Sequence, residues 1–195
     1  MKVLVWPALF CRLQDMTQII QIRPFAGSDA AAVAAVYSHH VLTGTATFEE
    51  VTPDKAEMAA RLSSLQDAGF PVLVACLAGE LVGYAYAGPY KTRSAYRFTV
   101  EDSIYIHQDH HRKGIGKALL SALISACSDK GYKQLLAVIG DSDNHGSIGL
   151  HRSCGFTSVG VARKLGFKFG RWLDVVYMQL SLHTEQNKDQ ERHIL

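Results

Sequence analysis

Residues 104–120 constrain this chain more than any other stretch. Apolar Ile104, Tyr105 and Ile106 have strand composition, a polar loop follows, and Arg112, Lys113, Gly114, Ile115, Gly116 and Lys117 lead into an amphipathic helix. A helix N-terminus leaves backbone N–H groups unpaired and carries the positive end of the macrodipole, so it favours an anion. Gly114 and Gly116 remove Cβ atoms from the approach, and Arg112, Lys113 and Lys117 add positive charge. The segment therefore reads as a pyrophosphate cradle at the end of a strand. It is not a P-loop, because no Gly-x-x-x-x-Gly-Lys-Ser/Thr run is present. Nor is it the dinucleotide fingerprint, because Leu119 stands where the third glycine belongs.

The rest of the chain reads as one α/β domain. Strand composition at 19–23 ends at Pro24, and Ser28 is placed to cap a helix to about His40. Thr52 followed by Pro53 predicts a second helix, stopped by Gly69. A hairpin follows at 72–87, then a long strand from Arg97 to Ile106. The cradle helix runs to about Lys130, a buried strand covers 134–139, and a short helix covers 144–153. Strands at 156–162 and 172–182 complete the order β-α-α-β-β-β-α-β-α-β-β. Such interleaving predicts a single mixed, twisted β-sheet with helices on both faces.

Composition narrows the function classes. The 195 residues are 48% hydrophobic and 19% charged, which fits a folded soluble domain rather than a disordered or collagenous chain. A net charge of +2 argues against nucleic acid or an anionic membrane as partner. Cys11, Cys76, Cys127 and Cys154 have no paired spacing, so neither disulfides nor a zinc site is expected, and a cytoplasmic location follows. His107, His110 and His111 invite a metal, but no carboxylate–histidine motif accompanies them, and none is expected. No run approaches the roughly 18 apolar residues of a membrane helix. Residues 3–11 imitate a secretory leader only loosely, without a small-x-small cleavage site. We read 1–18 as an N-terminal extension, with Met16 within it as the natural start, 19–182 as the domain, and 183–195 as a polar, frayed tail.

The glycine turn resembles the coenzyme A motif of the GNAT acetyltransferases, Gln/Arg-x-x-Gly-x-Gly/Ala, with His111 in place of the usual Gln or Arg. Further segments sharpen the likeness: 89–96 (Pro-Tyr-Lys-Thr-Arg-Ser-Ala-Tyr), 99–105 (Thr-Val-Glu-Asp-Ser-Ile-Tyr), 139–144, 147–151 and 166–175 (Gly-Phe-Lys-Phe-Gly-Arg-Trp-Leu-Asp-Val). Together they resemble the phosphinothricin N-acetyltransferase family, which includes enzymes acting on methionine sulfone and methionine sulfoximine. The likeness covers roughly residues 19–182.

That resemblance implies a GNAT fold, a homodimer, and acetyl transfer from acetyl-CoA to the α-amine of a small amino acid by direct attack in a ternary complex. An ammonium has no lone pair, so a base must first remove a proton; Glu101 matches the family's catalytic glutamate. His151 stands where many GNAT enzymes have a tyrosine that protonates the CoA thiolate. It can be that acid, a second base, or a structural donor. The resemblance assigns the thioester and pantetheine arm to Ile104, Tyr105 and Ile106, and the diphosphate to Arg112 through Lys117. Asn144 and Ser147 match further CoA contacts and equally suit helix capping. Lys91 and Arg93 match residues that hold the acceptor's carboxylate. Thr47, Phe48 and Tyr96 are candidate pocket walls, or core and dimer aromatics. A polyamine or protein N-terminus as acceptor, and a CoA-binding sensor without catalysis, are the competing readings.

Overall fold

The computed structural model describes residues 19–182; the expectations for 1–18, including the start at Met16, and for 183–195 lie outside the described residues. In chain order the elements are β1 (Ile20–Pro24), α1 (Ala30–Thr43), α2 (Lys55–Asp67), β2 (Val72–Leu77), β3 (Glu80–Pro89) and β4 (Thr99–Ile106). There follow α3 (Ile115–Asp129), β5 (Gln134–Gly140), α4 (His145–Ser153), β6 (Thr157–Lys168) and β7 (Arg171–Ser181). The strands form one seven-stranded sheet in the order β1-β2-β3-β4-β5-β7-β6. The mixed α/β sheet expected from the sequence is therefore present. Helix α3 buries Ile115, Leu119, Leu120 and Leu123 against one face. On the other, α1 and α2 bury Val33, Val36, Tyr37, Met58 and Leu62. Among the described residues no helix is long and apolar enough to cross a membrane.

Four boundaries differ from the sequence reading. Residues Gly27–Asp29 form a 3-10 turn, so α1 starts at Ala30 and Ser28 does not cap it. The nearby Asp29 carboxylate instead accepts from Arg23 and from the Ala26 N–H. Helix α2 is capped by Asp54, not Thr52: its Oδ1 accepts the Glu57 N–H at 2.8 Å, which leaves Pro53 outside the helix. Strand β4 starts at Thr99 rather than Arg97, because the Arg97 N–H closes a 3-10 turn onto Ser94. Strand β6 continues past Ala162 to Lys168 through a bulge between Ala162 and Gly166. There Lys164 takes φ +52° and its N–H is accepted by Asp174 Oδ1 at 3.0 Å, so a local side-chain acceptor stabilises a turn that basic residues alone do not announce.

One joint in the sheet positions the site. Every strand pair is antiparallel except β4–β5, which is parallel and pairs only Thr99–Asp102 with Gln134–Ala137. Beyond that point β4 stays with β3 as far as Ile106, and β5 stays with β7 as far as Gly140. The two halves of the sheet part into a V. Because the His107 N–H bonds Val82 O at 2.9 Å, alternation along an antiparallel pair directs the backbone of Tyr105, Ser103 and Glu101 toward β3. The backbone groups of Ile104 and Ile106 face the opening.

Candidate active site

The opening between β4 and β5 is the mouth of a cleft of about 530 Å³, walled by β4, β5, α4 and the N-terminus of α3. Its lining includes Ile104, Tyr105, Ile106, Arg112, Gly114, Gly116, Lys117, Asn144, Ser147 and His151. The structure thus brings together most of the residues expected to hold a CoA-like ligand. Lys113 and Ile115 do not line the cleft; Ile115 is buried beneath it and anchors the helix start.

The cradle has the form expected. Gly114 adopts φ +81°, a conformation natural to glycine, and stands at the N-cap of α3. The first backbone bond of the helix runs from the Ala118 N–H to Gly114 O. Among the described residues, the N–H groups of 112–117 have no protein acceptor. Six consecutive donors at a dipole's positive end, beside Arg112 and Lys117, suit a diphosphate. His111 does not extend this array. It donates from Nε2 toward Ile106 O at 3.2 Å and lies parallel to His40, whose own Nε2 reaches the same oxygen at 2.9 Å.

This corrects the reading of 104–106 as one uniform platform. Tyr105 lines the cleft, but its backbone faces β3, and the Ile106 carbonyl is engaged by His40. The Ile104 N–H and C=O and the Ile106 N–H remain as the strand edge an amide-bearing arm could pair with. On α4, Asn144 Oδ1 caps the helix by accepting the Ser147 N–H at 3.1 Å, while both residues also line the cleft.

His151 is the least expected result. Its side chain is 2% exposed and both ring nitrogens are engaged. Nδ1 lies 2.8 Å from Ser147 O, and Nε2 lies 2.9 Å from Asp102 Oδ2. A carbonyl and a carboxylate are both acceptors, so both nitrogens carry hydrogen and the ring is an imidazolium paired with Asp102. Burial pulls its pKa down, but the hydrogen bond and charge of Asp102, with the Ser147 carbonyl, outweigh it and hold the pKa above the usual histidine value. Asp102, itself 2% exposed, was missed by the sequence reading, although it neighbours Glu101. Strand alternation was the available signal, since it sends the two carboxylates to opposite faces.

Glu101 shares the α1/α2 face with Ser103 and Tyr105 and is not part of the cleft lining. Burial foremost, and then the Asp102 charge, raise its pKa above the ordinary carboxylate range. Opposite Glu101 on β3 stands Gly88, with Tyr86 diagonal to it. Lys91, Arg93 and Tyr96 sit on the β3–β4 connection, outside the cleft. Lys91 Nζ lies 5.0 Å from the Tyr90 ring centre and 5.6 Å from that of Tyr96, and Arg93 is exposed. Phe48 lies elsewhere, against Gly140 and Gly166, on the loop between α1 and α2. No group of three His, Cys, Asp or Glu able to hold a metal occurs among the described residues. The two faces therefore differ: unpaired N–H donors and a free strand edge border the cleft, and a partly buried carboxylate, Glu101, lies on the α1/α2 face.

A sheet parted beyond its parallel joint, with unpaired backbone N–H groups and basic side chains at the lip of a cleft, is an arrangement suited to a phosphate-tailed ligand. More particularly, the chain belongs to the acetyltransferase (GNAT) family, which matches residues 33–156. It is 52% identical to the phosphinothricin N-acetyltransferase of Alcaligenes faecalis over 84% of this chain and 83% of that protein. To the L-methionine sulfoximine/L-methionine sulfone acetyltransferase of Salmonella typhimurium it is 41% identical, over 83% of this chain and 94% of the other. A phosphinothricin acetyltransferase of Sinorhizobium meliloti, solved in complex with acetyl-CoA, superposes with a TM-score of 0.81 at 44% identity, covering 84% of this chain and 88% of that one.

Proposed function

We propose that this protein transfers the acetyl group of acetyl-CoA to the α-amine of a small amino acid of the phosphinothricin or methionine sulfoximine/sulfone kind. The observation that carries the reading is the parted β4–β5 joint, with the six unpaired N–H donors of 112–117 at its lip and Glu101 on the opposite face. Glu101 removes a proton from the acceptor's ammonium, directly or through water, and the freed lone pair attacks the thioester carbonyl carbon. Negative charge gathers on the carbonyl oxygen, where a free N–H of the Ile104–Ile106 edge donates to it. Collapse breaks the C–S bond, and the second proton, shed by the now positively charged nitrogen, passes directly or through water to the departing CoA thiolate, leaving a neutral amide and CoA thiol. His151, with both nitrogens engaged, serves as a donor that ties α4 to β4 rather than as the acid at the sulfur. Lys91 and Arg93 are assigned to the acceptor's carboxylate.

CoA-thiol release from acetyl-CoA, measured against a panel of amino acids, polyamines and an N-terminal peptide, tests the reading. Selective turnover of the amino acids with a tetrahedral phosphorus or sulfur head is expected. Turnover confined to polyamine or peptide would overturn the acceptor, and silence with acetyl-CoA still bound would point to a sensor.

We also propose a cytoplasmic homodimer. Cys76, Cys127 and Cys154 are free thiols, as suits a reducing compartment. Edge strand β6 and the start of β7 expose Val159, Val161, Leu165, Phe167 and Trp172 to between 40% and 59%. The Phe167 and Trp172 ring centres lie 5.2 Å apart. An apolar row on an unpaired sheet edge is a surface that a second copy would cover. Leu165→Glu together with Phe167→Glu should convert a dimer to a monomer in light scattering; a wild-type monomer would overturn the assignment.

A further inference from the structure

Lys168 is the one charged side chain on β6 that is fully buried, at 1% exposure, and it stands apart from the chemistry above. Its Nζ donates to Gly44 O and to Thr47 O, both at 2.9 Å, and lies 4.9 Å from the centre of the Phe169 ring. Among the described residues it forms no ion pair with a carboxylate. Burying an ammonium is unfavourable; burial lowers the Lys168 pKa, and the charges of Glu50 and Glu49 offset this only in part. What the ammonium does is grip the α1–α2 loop, at residues 44–47, from beneath.

The rest of the surroundings agree on that loop. Thr47 is buried and its Oγ1 hydrogen-bonds the Tyr37 hydroxyl at 2.8 Å and accepts the Glu49 N–H at 3.2 Å. A Cβ on Gly140 would collide with the Thr45 carbonyl, and one on Gly166 would collide with the Phe48 ring. Both glycines thus leave room for the loop to lie directly on the ends of β5 and β6. Ala46 lines the cleft. The loop joins the two helices on the face that carries Glu101, so it borders the side from which an amine reaches the gap.

We infer that Lys168 is a positioning residue for the acceptor: by holding the carbonyls of Gly44 and Thr47 it fixes the loop that carries Phe48 on the Glu101 face, while it touches no residue of the 112–117 segment. The inference rests on the acetyl-transfer reading above. The test is steady-state kinetics on Lys168→Met, with hydrogen–deuterium exchange followed over 44–50 and over 100–106. The acceptor KM should rise by roughly tenfold or more, since small misplacement of a positioning wall weakens productive binding. The acetyl-CoA KM should stay within about twofold, and exchange should rise in 44–50 alone. Gly166→Ala reaches the same loop from the Phe48 side without removing the lysine. It should reproduce the split, which covers the case where Lys168→Met fails to fold. Both KM values rising together, or neither changing, would overturn the inference. A wild-type enzyme that acetylates no amino acid would instead overturn the reading on which it rests.

Discussion

Glu101→Gln is expected to lower kcat by about 10² to 10⁴-fold while leaving acetyl-CoA affinity unchanged, because it removes the proton acceptor and nothing from the cradle. The pH dependence sharpens the expectation. As the proposed base Glu101 would act only when ionised, and burial, aided by the Asp102 charge, raises its pKa above the usual carboxylate range. The acidic limb of kcat/KM should therefore rise with pH through a value higher than that of an ordinary glutamate, and the limb should vanish in Glu101→Gln. Asp102→Asn, by removing a neighbouring negative charge, should move the same limb toward lower pH. Full activity in Glu101→Gln across the pH range would remove this residue from the mechanism.

The second large effect concerns stability. Asp102→Ala strands the His151 imidazolium in a site where its side chain is 2% exposed. With its carboxylate gone the ring is driven by burial to shed its proton, so the loss is that of an unsatisfied buried group, about 1–3 kcal/mol, and Asp102 Oδ1 has no hydrogen-bond partner whose loss would add to it. The pH sign follows from the direction of the shift. The folded-state pKa of His151 lies above its unfolded value of roughly 6.5, so the pair's contribution is complete below that pH and is lost as pH rises through the folded value. Denaturant unfolding at successive pH steps upward from about 6 should show wild-type stability falling, with a flatter response in Asp102→Ala. Replacing both residues by apolar side chains of matching size should recover most of the loss. A single Asp102→Ala variant as stable as wild type, with an unchanged pH slope, would show that the two groups are not a charged pair.

Local signals carried much of the architecture, and non-local contacts explain what escaped. The β2–β3 hairpin was legible because Ala78 and Gly79 both take positive φ between two apolar runs, at 51° and 85°. The cradle was legible because glycines, basic residues and helix periodicity coincide within a dozen positions. Asp102 and His151 are 49 residues apart, and nothing near either one announces the other. Lys168 reaches back 124 residues to Gly44. Alternation alone predicts the reverse, apolar Phe167 and Phe169 inward and Lys168 outward, whereas both phenylalanines are exposed and the lysine is buried. The bulge in β6 is held by the Asp174 carboxylate of the neighbouring strand, so the sequence reading ended the strand at Ala162. Family likeness pointed to Glu101 as the base and left His151 open as acid, second base or structural donor. The three-dimensional structure separates the two by their surroundings: Glu101 is a partly buried carboxylate, whereas both ring nitrogens of His151 are engaged.

The four-residue joint between β4 and β5 also makes the donor a participant in folding thermodynamics. The Ile104 and Ile106 groups that face the gap lack a strand partner, so an extended amide arm lying there would act as a short missing strand between the two halves of the sheet. Ligand that binds only the folded chain stabilises it by mass action, by about 2.7 kcal/mol at a hundredfold excess over Kd. The melting temperature should then climb with acetyl-CoA concentration without saturating at full occupancy. Desulfo-CoA, which keeps the arm but cannot react, should raise it in the same manner, so that the mechanical role of the donor can be weighed apart from its chemistry.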